Sequence, residues 1–194
     1  MPQTDNHAVA QAVHDLGSAM WFGGTLMGAT GVNKAGRDLS NEFDRITVSK
    51  SAWARFSPLQ WTGIAMTVLA GLQLTRSSAD RLAAQRSFGS VGALKAGLTI
   101  AGIAATAYSA YCGGKIAQLA EQAREREQHI DVEDATTPTP HTPPDIAQWQ
   151  RRQRIAQYLV PFLAGANIAC GSYLVQSYRP RATARGIMGR FRPE

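Results

Sequence analysis

VGALKAGLTIAGIAATAYSAY, residues 91–111, is the stretch that decides the fold. It is about 21 residues long and apolar apart from Lys95 in its first turns, the length a helix needs to cross the hydrocarbon core of a bilayer. On either side of it, three further runs of similar length contain no Lys, Arg, Asp or Glu: Leu16 to Asn33, Ser57 to Thr75 and Ile155 to Tyr178. Core helices of water-soluble domains alternate apolar and charged faces. Four such runs in 194 residues, three uncharged and one with a single Lys, point instead to an all-α, polytopic membrane four-helix bundle forming a single membrane domain. The spans are expected near residues 12–33, 57–76, 91–114 and 155–178. A water-soluble bundle with Ala-rich core helices is the alternative.

The mean hydropathy is slightly negative, which looks wrong for such a protein. Charge placement resolves the conflict: nearly all charges lie in the loops and the tail, and the spans use Ala, Gly, Ser and Thr, which suit close helix contact in lipid. The net charge of +6 comes from basic residues beside the span ends. They are Lys34 and Arg37, Arg76 and Arg81, Arg151, Arg152 and Arg154, and then Arg179 to Arg192. Such residues contact headgroups and set orientation. No basic stretch is interleaved with aromatics, so the partner expected is a lipid bilayer and not a nucleic acid. The location expected is the cell (plasma or inner) membrane, multi-pass. The first run lacks a small-residue cleavage site and should be retained. No Lys or Arg precedes it, which favours an N-terminus outside. Cys112 and Cys170 fit no zinc or redox spacing.

The remaining segments give local expectations. Gly24 and Gly28 form a Gly-x-x-x-Gly face for helix packing. Residues 34–56 read as a connection of mixed charge, with Trp53 and Phe56 as interface anchors and Pro58 in the first turn of the second span. Lys115 to Gln128 is a strong helix former that should project into water as a stalk. Residues 136–144, TTPTPHTPP, break it. Asp145 is a cap for the last helix, which begins outside the membrane and should kink at Pro161. The basic tail 179–194 lies on the headgroup surface or is unordered.

Ionisable groups inside a membrane are functional candidates. Here they are His14 and Asp15 early in the first span and Lys95 early in the third. Spans one and three run in the same direction, and a rise of 1.5 Å per residue puts His14 and Lys95 at matching depth, with Gln73 and Arg76 on the same side. An uncharged His there suits axial ligation of a haem iron, so His14 is the candidate metal ligand, with haem b the candidate cofactor. Lys95 would pair with a propionate or with Asp15. The plainer alternative is two interfacial residues, with Lys95 reaching the headgroups.

The segment from His14 through Trp21 to Gly23 and Gly24 resembles the first helix of the copper-resistance D superfamily. It also looks like that of the J-type membrane protoporphyrinogen oxidases. The early Lys95 and the exit Tyr108, Tyr111, Cys112 and Gly113 of span three fit the same pattern. The resemblance covers spans one to three and implies a role in haem binding for His14 and Lys95. The oxidase-like proteins have a His at the exit of span three, where this chain reads Tyr108-Ser109-Ala110, and that departure points to changed or lost chemistry. The expected function is therefore a binding or accessory subunit of a larger membrane complex, or of a homo-oligomer, that holds haem b. The alternatives are a haem-dependent oxidase of a porphyrin precursor and a metal-transport component. The spans lack Met-x-x-Met or His/Cys clusters for a soft metal. Asn167 is expected only to bond between helices.

Overall fold

In the computed structural model, the backbone is described for residues 2–77 and 86–176. The tail 179–194 and Arg81 lie outside the described residues. Helix α1 (Pro2–Met27) runs into a π-helical turn at Gly28–Val32, a short helix at Asn33–Ala35 and a 3-10 turn at Gly36–Asp38. Helices α2 (Glu42–Ser77), α3 (Arg86–Glu125) and α4 (Pro144–Gln176) follow. The architecture is all-helical; among the described residues the only β-type pairing is an isolated bridge between Val132 and Pro138.

Helix α2 starts well before the apolar run because Asn41 caps it. Its Oδ1 accepts from the backbone N–H groups of Phe43 (2.9 Å) and Asp44 (3.2 Å). Glu42 and Asp44 in the first turn complement the helix dipole. Pro58 consequently lies inside α2 and not in its first turn. Most of the expected 34–56 connection is thus helical.

The broadest contacts pair α1 with α2 and α3 with α4, and α1–α4 and α2–α3 contacts close the ring. The closest approach joins α1 to α2 at Gly17 and Gly63. A Cβ on Gly17 would stand 2.6 Å from the Gly63 carbonyl oxygen, so neither position has room for a side chain. Gly24 and Gly28 also face α2, where the Phe56 and Trp53 rings lie over them. Those two aromatics are half-buried against glycine.

The expected stalk is packed and does not project alone. The ends of α2, α3 and α4 gather with residues 130–132 into a head, whose core joins Ile46, Ile116, Ala120, Ile130, Val132 and Ile146. Small Ala and scattered Ile residues suffice because α3 and α4 run side by side there. The Pro-rich loop is ordered by Asp134, which is fully buried. Its carboxylate accepts from the Thr136 N–H (2.7 Å), the Thr136 and Thr137 hydroxyls (3.0 Å each) and Arg37 Nε (3.0 Å). Arg45 ties the same loop down by donating to the Val132 carbonyl at 2.6 Å.

Apolar and polar side chains are both buried within the bundle, and both are found on its surface. Large apolar side chains on every helix are exposed, among them Leu16, Leu69, Ile100, Phe162 and Ile155 at 73%. The interior holds Ser18, Thr25, Asn33, Gln60, Thr67, Thr106 and Asn167. Among the described residues, α3 over Gly89–Glu125 and α4 over Pro144–Gln176 are the two helices long and apolar enough to cross a membrane. The expectation was four. Helices α1 and α2 have the length, but His14, Asp15, Gln60 and Gln73 lower their hydropathy.

Candidate functional site

His14 sits in α1 at the end of the bundle away from the head and is 2% exposed. All four helices build its surroundings. Lys95 of α3 reaches across the ring, its Nζ standing 2.7 Å from His14 Nε2. Gly71 of α2 and Gly171 of α4 flank the imidazole from the other two sides. A Cβ on Gly71 would lie 3.6 Å from His14 Cδ2, and one on Gly171 3.4 Å from Lys95 Cε. The near-absence of side chains on α2 and α4 at this level is what lets residues on opposite helices meet.

The second ring nitrogen, Nδ1, is 3.2 Å from Asp15 Oδ1. Asp15 itself is 64% exposed and accepts from Gln11 Nε2 at 2.8 Å. An ammonium only donates and a carboxylate only accepts, so these contacts assign the imidazole as neutral, with its proton on Nδ1. The chain from Asp15 through His14 to Lys95 thus links an exposed anion to a half-buried cation. Two N–H groups of Lys95 are left over by the imidazole. Lys95 contacts His14 and makes no direct pair with Asp15, the alternative the sequence left open.

Beside this chain is a cavity of about 500 Å³. His7, Gln11, His14, Lys95 and three threonines, Thr67, Thr75 and Thr99, form its polar part, and Leu72, Ile103 and Leu174 are among its apolar walls. Gln73 and Arg76, expected on this side, are exposed and not part of the cavity lining; the amide there belongs to Gln11. One layer deeper, Asn167 Nδ2 donates to Thr99 Oγ1, and the Ser18 and Thr67 hydroxyls bond at 3.2 Å. Below them Trp21 Nε1 donates to Thr106 Oγ1 at 3.1 Å, within an apolar layer of Ile64, Val160 and Ala164. Gly71, Gly171 and Gln11 carried no signal in the sequence. A glycine or glutamine in a small-residue span becomes informative only once its neighbours are known.

The donor set can be tested against a haem. Iron ligation needs a free imidazole nitrogen, and His14 has none: Nδ1 faces Asp15 and Nε2 faces Lys95. As arranged, His14 does not fit an axial ligand. Lys95, with donors to spare beside apolar walls, does fit the carboxylate of an amphiphilic acid. Among the described residues no three His, Cys, Asp or Glu side chains come together as a metal-binding cluster. Compared with known proteins, the chain matches no family model, no curated protein and no solved structure.

Proposed function

We propose that the chain is an integral membrane protein of four spans, a binding or accessory subunit of a larger membrane complex, whose ligand is held at Lys95, with His14 positioning the ammonium. The observation that carries the membrane reading is a belt of exposed Leu, Ile and Phe around an interior that buries hydroxyls and amides beside Trp21, Ile64 and small apolar residues. In water such a belt is an aggregation liability, whereas in lipid it is the solvated surface. Helices α1 and α2 join α3 and α4 in spanning, since their faces complete the same belt. The head then stands in water on one side. Extraction of cell membranes with alkaline carbonate tests this: the protein stays with the membrane pellet, and its release into the supernatant would sink the reading.

The ligand class follows from the cavity. A carboxylate would sit on the Lys95 ammonium, with an apolar body against Leu72, Ile103 and Leu174. Haem b is one such molecule, held by its propionates and not through His14. The resemblance to the copper-resistance D superfamily and the J-type oxidases supports haem as the first candidate. The test is the absorption spectrum of the protein purified in mild detergent. A Soret band that survives His14→Ala but is lost in Lys95→Met supports the propionate mode. A band lost in His14→Ala, with the protein folded, favours iron ligation. That second mode has one observation behind it: a carboxylate on Nδ1 is how ligating histidines are commonly oriented. No band in any form removes haem altogether.

A further inference from the structure

We propose that the head end of the bundle contains a second, separate binding site, for a neutral lipid-soluble ring bearing paired carbonyl or hydroxyl groups: the quinone or quinol class. A cavity of about 270 Å³ lies there between α2, α3 and α4, under Ala135 and Thr136 of the ordered loop. The layer of Trp21, Ile64, Val160 and Ala164 separates it from the His14 end.

Two amides of the lining are short of partners, as are the oxygens of Gln150 and Asn167 outside the cavity. Asn33, brought inward after the π-turn of α1, accepts at Oδ1 from Ser49 Oγ (2.7 Å) and Trp53 Nε1 (2.8 Å), and donates to Gln157 Oε1 at 2.7 Å. Gln157 in turn donates to Thr136 Oγ1 at 3.3 Å. Gln153 is 6% exposed and spends its Nε2 on Ser109 Oγ at 3.0 Å, but its Oε1 has no hydrogen-bond partner. Gln60, equally buried, makes no side-chain hydrogen bond among the described residues. Buried amides are ordinarily satisfied, and an unsatisfied one beside a cavity is open to an occupant. π-turns within helices are frequent at functional sites.

The lining selects the chemistry. Lys50 is the one charged residue of the lining and is itself exposed, so an ion would be poorly held. An amide both donates and accepts, so two of them suit carbonyls or hydroxyls on a ring. Trp53 and Trp61 supply flat apolar walls. The mouth lies between α2 and α3, the least extensive contact of the ring, with Ser57 and Trp61 on one lip and Ala110, Gly113 and Gly114 on the other. A Cβ at Gly113 or Gly114 would meet nothing within 4 Å. Entry from the acyl chains rests on the membrane reading above, which carbonate extraction decides on its own; the binding does not.

The test uses the full chain in mild detergent and duroquinone, whose fully substituted ring cannot add to thiols such as Cys112. Quinones quench tryptophan fluorescence, and Trp53 and Trp61 line the site. Duroquinone should quench saturably, and durene, the same ring without oxygens, should not compete. Gln153→Leu and Gly114→Leu should each weaken binding about tenfold or more. His14→Ala should leave it unchanged, which separates this site from the Lys95 cavity. Gly114 is on an open lip, so its variant keeps the test valid if Gln153→Leu misfolds. Quenching that rises linearly without saturation, as expected if water alone fills the cavity, would overturn the proposal. So would equal affinity in the parent and both Leu variants.

Discussion

At the His14 end of the bundle, an acid, an imidazole and an amine form a short chain with glycines on either side; at the head end, Asn33, Gln157 and Ser49 form a larger network of neutral groups that reaches the Asp134 carboxylate through the Thr136 hydroxyl. The difference follows from what surrounds each. The His14 chain begins at an exposed carboxylate, so its charges stay connected to the surface. The amide network lies within the bundle, where a charge would have to be desolvated on all sides. Ion pairs of the head lie at its edge, where Asp134 of the loop meets a half-exposed Arg37 and Arg124 meets Asp44. The inner charge of each network therefore connects to a group that reaches water, Lys95 through His14 to Asp15 and Asp134 to Arg37, and the bundle between is held by neutral bonds and close backbone approach.

The largest expected effect belongs to the head. Asp134→Ala removes the acceptor of four hydrogen bonds from a fully buried position. Arg37 would keep Glu133 at 2.8 Å, so the loss should sit near the low end for a broken buried pair, about 3 kcal/mol. Denaturation in detergent measures it, and proteolysis within 128–143 should accelerate in parallel. A loss below about 1 kcal/mol would mean the loop does not depend on this carboxylate.

Next comes backbone approach. Gly17→Leu must separate α1 from α2, because the obstacle is the Gly63 carbonyl and the Thr67 backbone. Gly28→Leu meets only the Trp53 ring, which can swing aside at the loss of its bond to Asn33. Both overpack, at about 1–3 kcal/mol, with Gly17 towards the upper figure but below Asp134→Ala and Gly28 near the lower. Equal melting temperatures for the two would show that the Gly17–Gly63 contact is not the tight one. Lys95→Met belongs between them, at about 2 kcal/mol, because it leaves His14 Nε2 buried without a donor.

Much of this was open to reading from residues alone. Apolar runs located the four helices without the early starts of α1 and α2, and the Pro-rich segment located the break between α3 and α4. Residue counting gave the common depth of His14 and Lys95, which are in contact. The head was not legible, because its core is made of alanines and a few isoleucines inside mixed-charge segments whose averaged hydropathy resembles a solvated connection. The buried amides were equally silent. Gln60, Gln153 and Gln157 look like juxtamembrane polar residues until the helices are set side by side. The Gly24/Gly28 pair stood out by spacing, yet the tightest approach uses Gly17 and Gly63, which share no motif because they lie on different helices.

The smallest expected effect tests whether glycine at the His14 end is there for approach or for space. At Gly171 a Cβ would make ordinary contacts, 3.4 Å to Lys95 Cε and 3.9 Å to His14 Cε1. Gly171→Ala also gains helix propensity, about 0.8–1.0 kcal/mol in a helix interior. The gain and the slight crowding should nearly cancel, leaving stability within about 0.5 kcal/mol of the parent. Gly171→Leu has no such room and must push the Lys95 stem away from the imidazole. Its cost should approach that of Lys95→Met, about 2 kcal/mol. The two positions share one contact, so Gly171→Leu should cost less when Lys95 is already Ala and the space beside His14 is open. Additive losses in that double variant would place the leucine elsewhere and break the link between Gly171 and the Lys95–His14 contact. A destabilising Gly171→Ala would make this end as tight as the Gly17–Gly63 crossing, and the contrast between space here and backbone contact there would be lost.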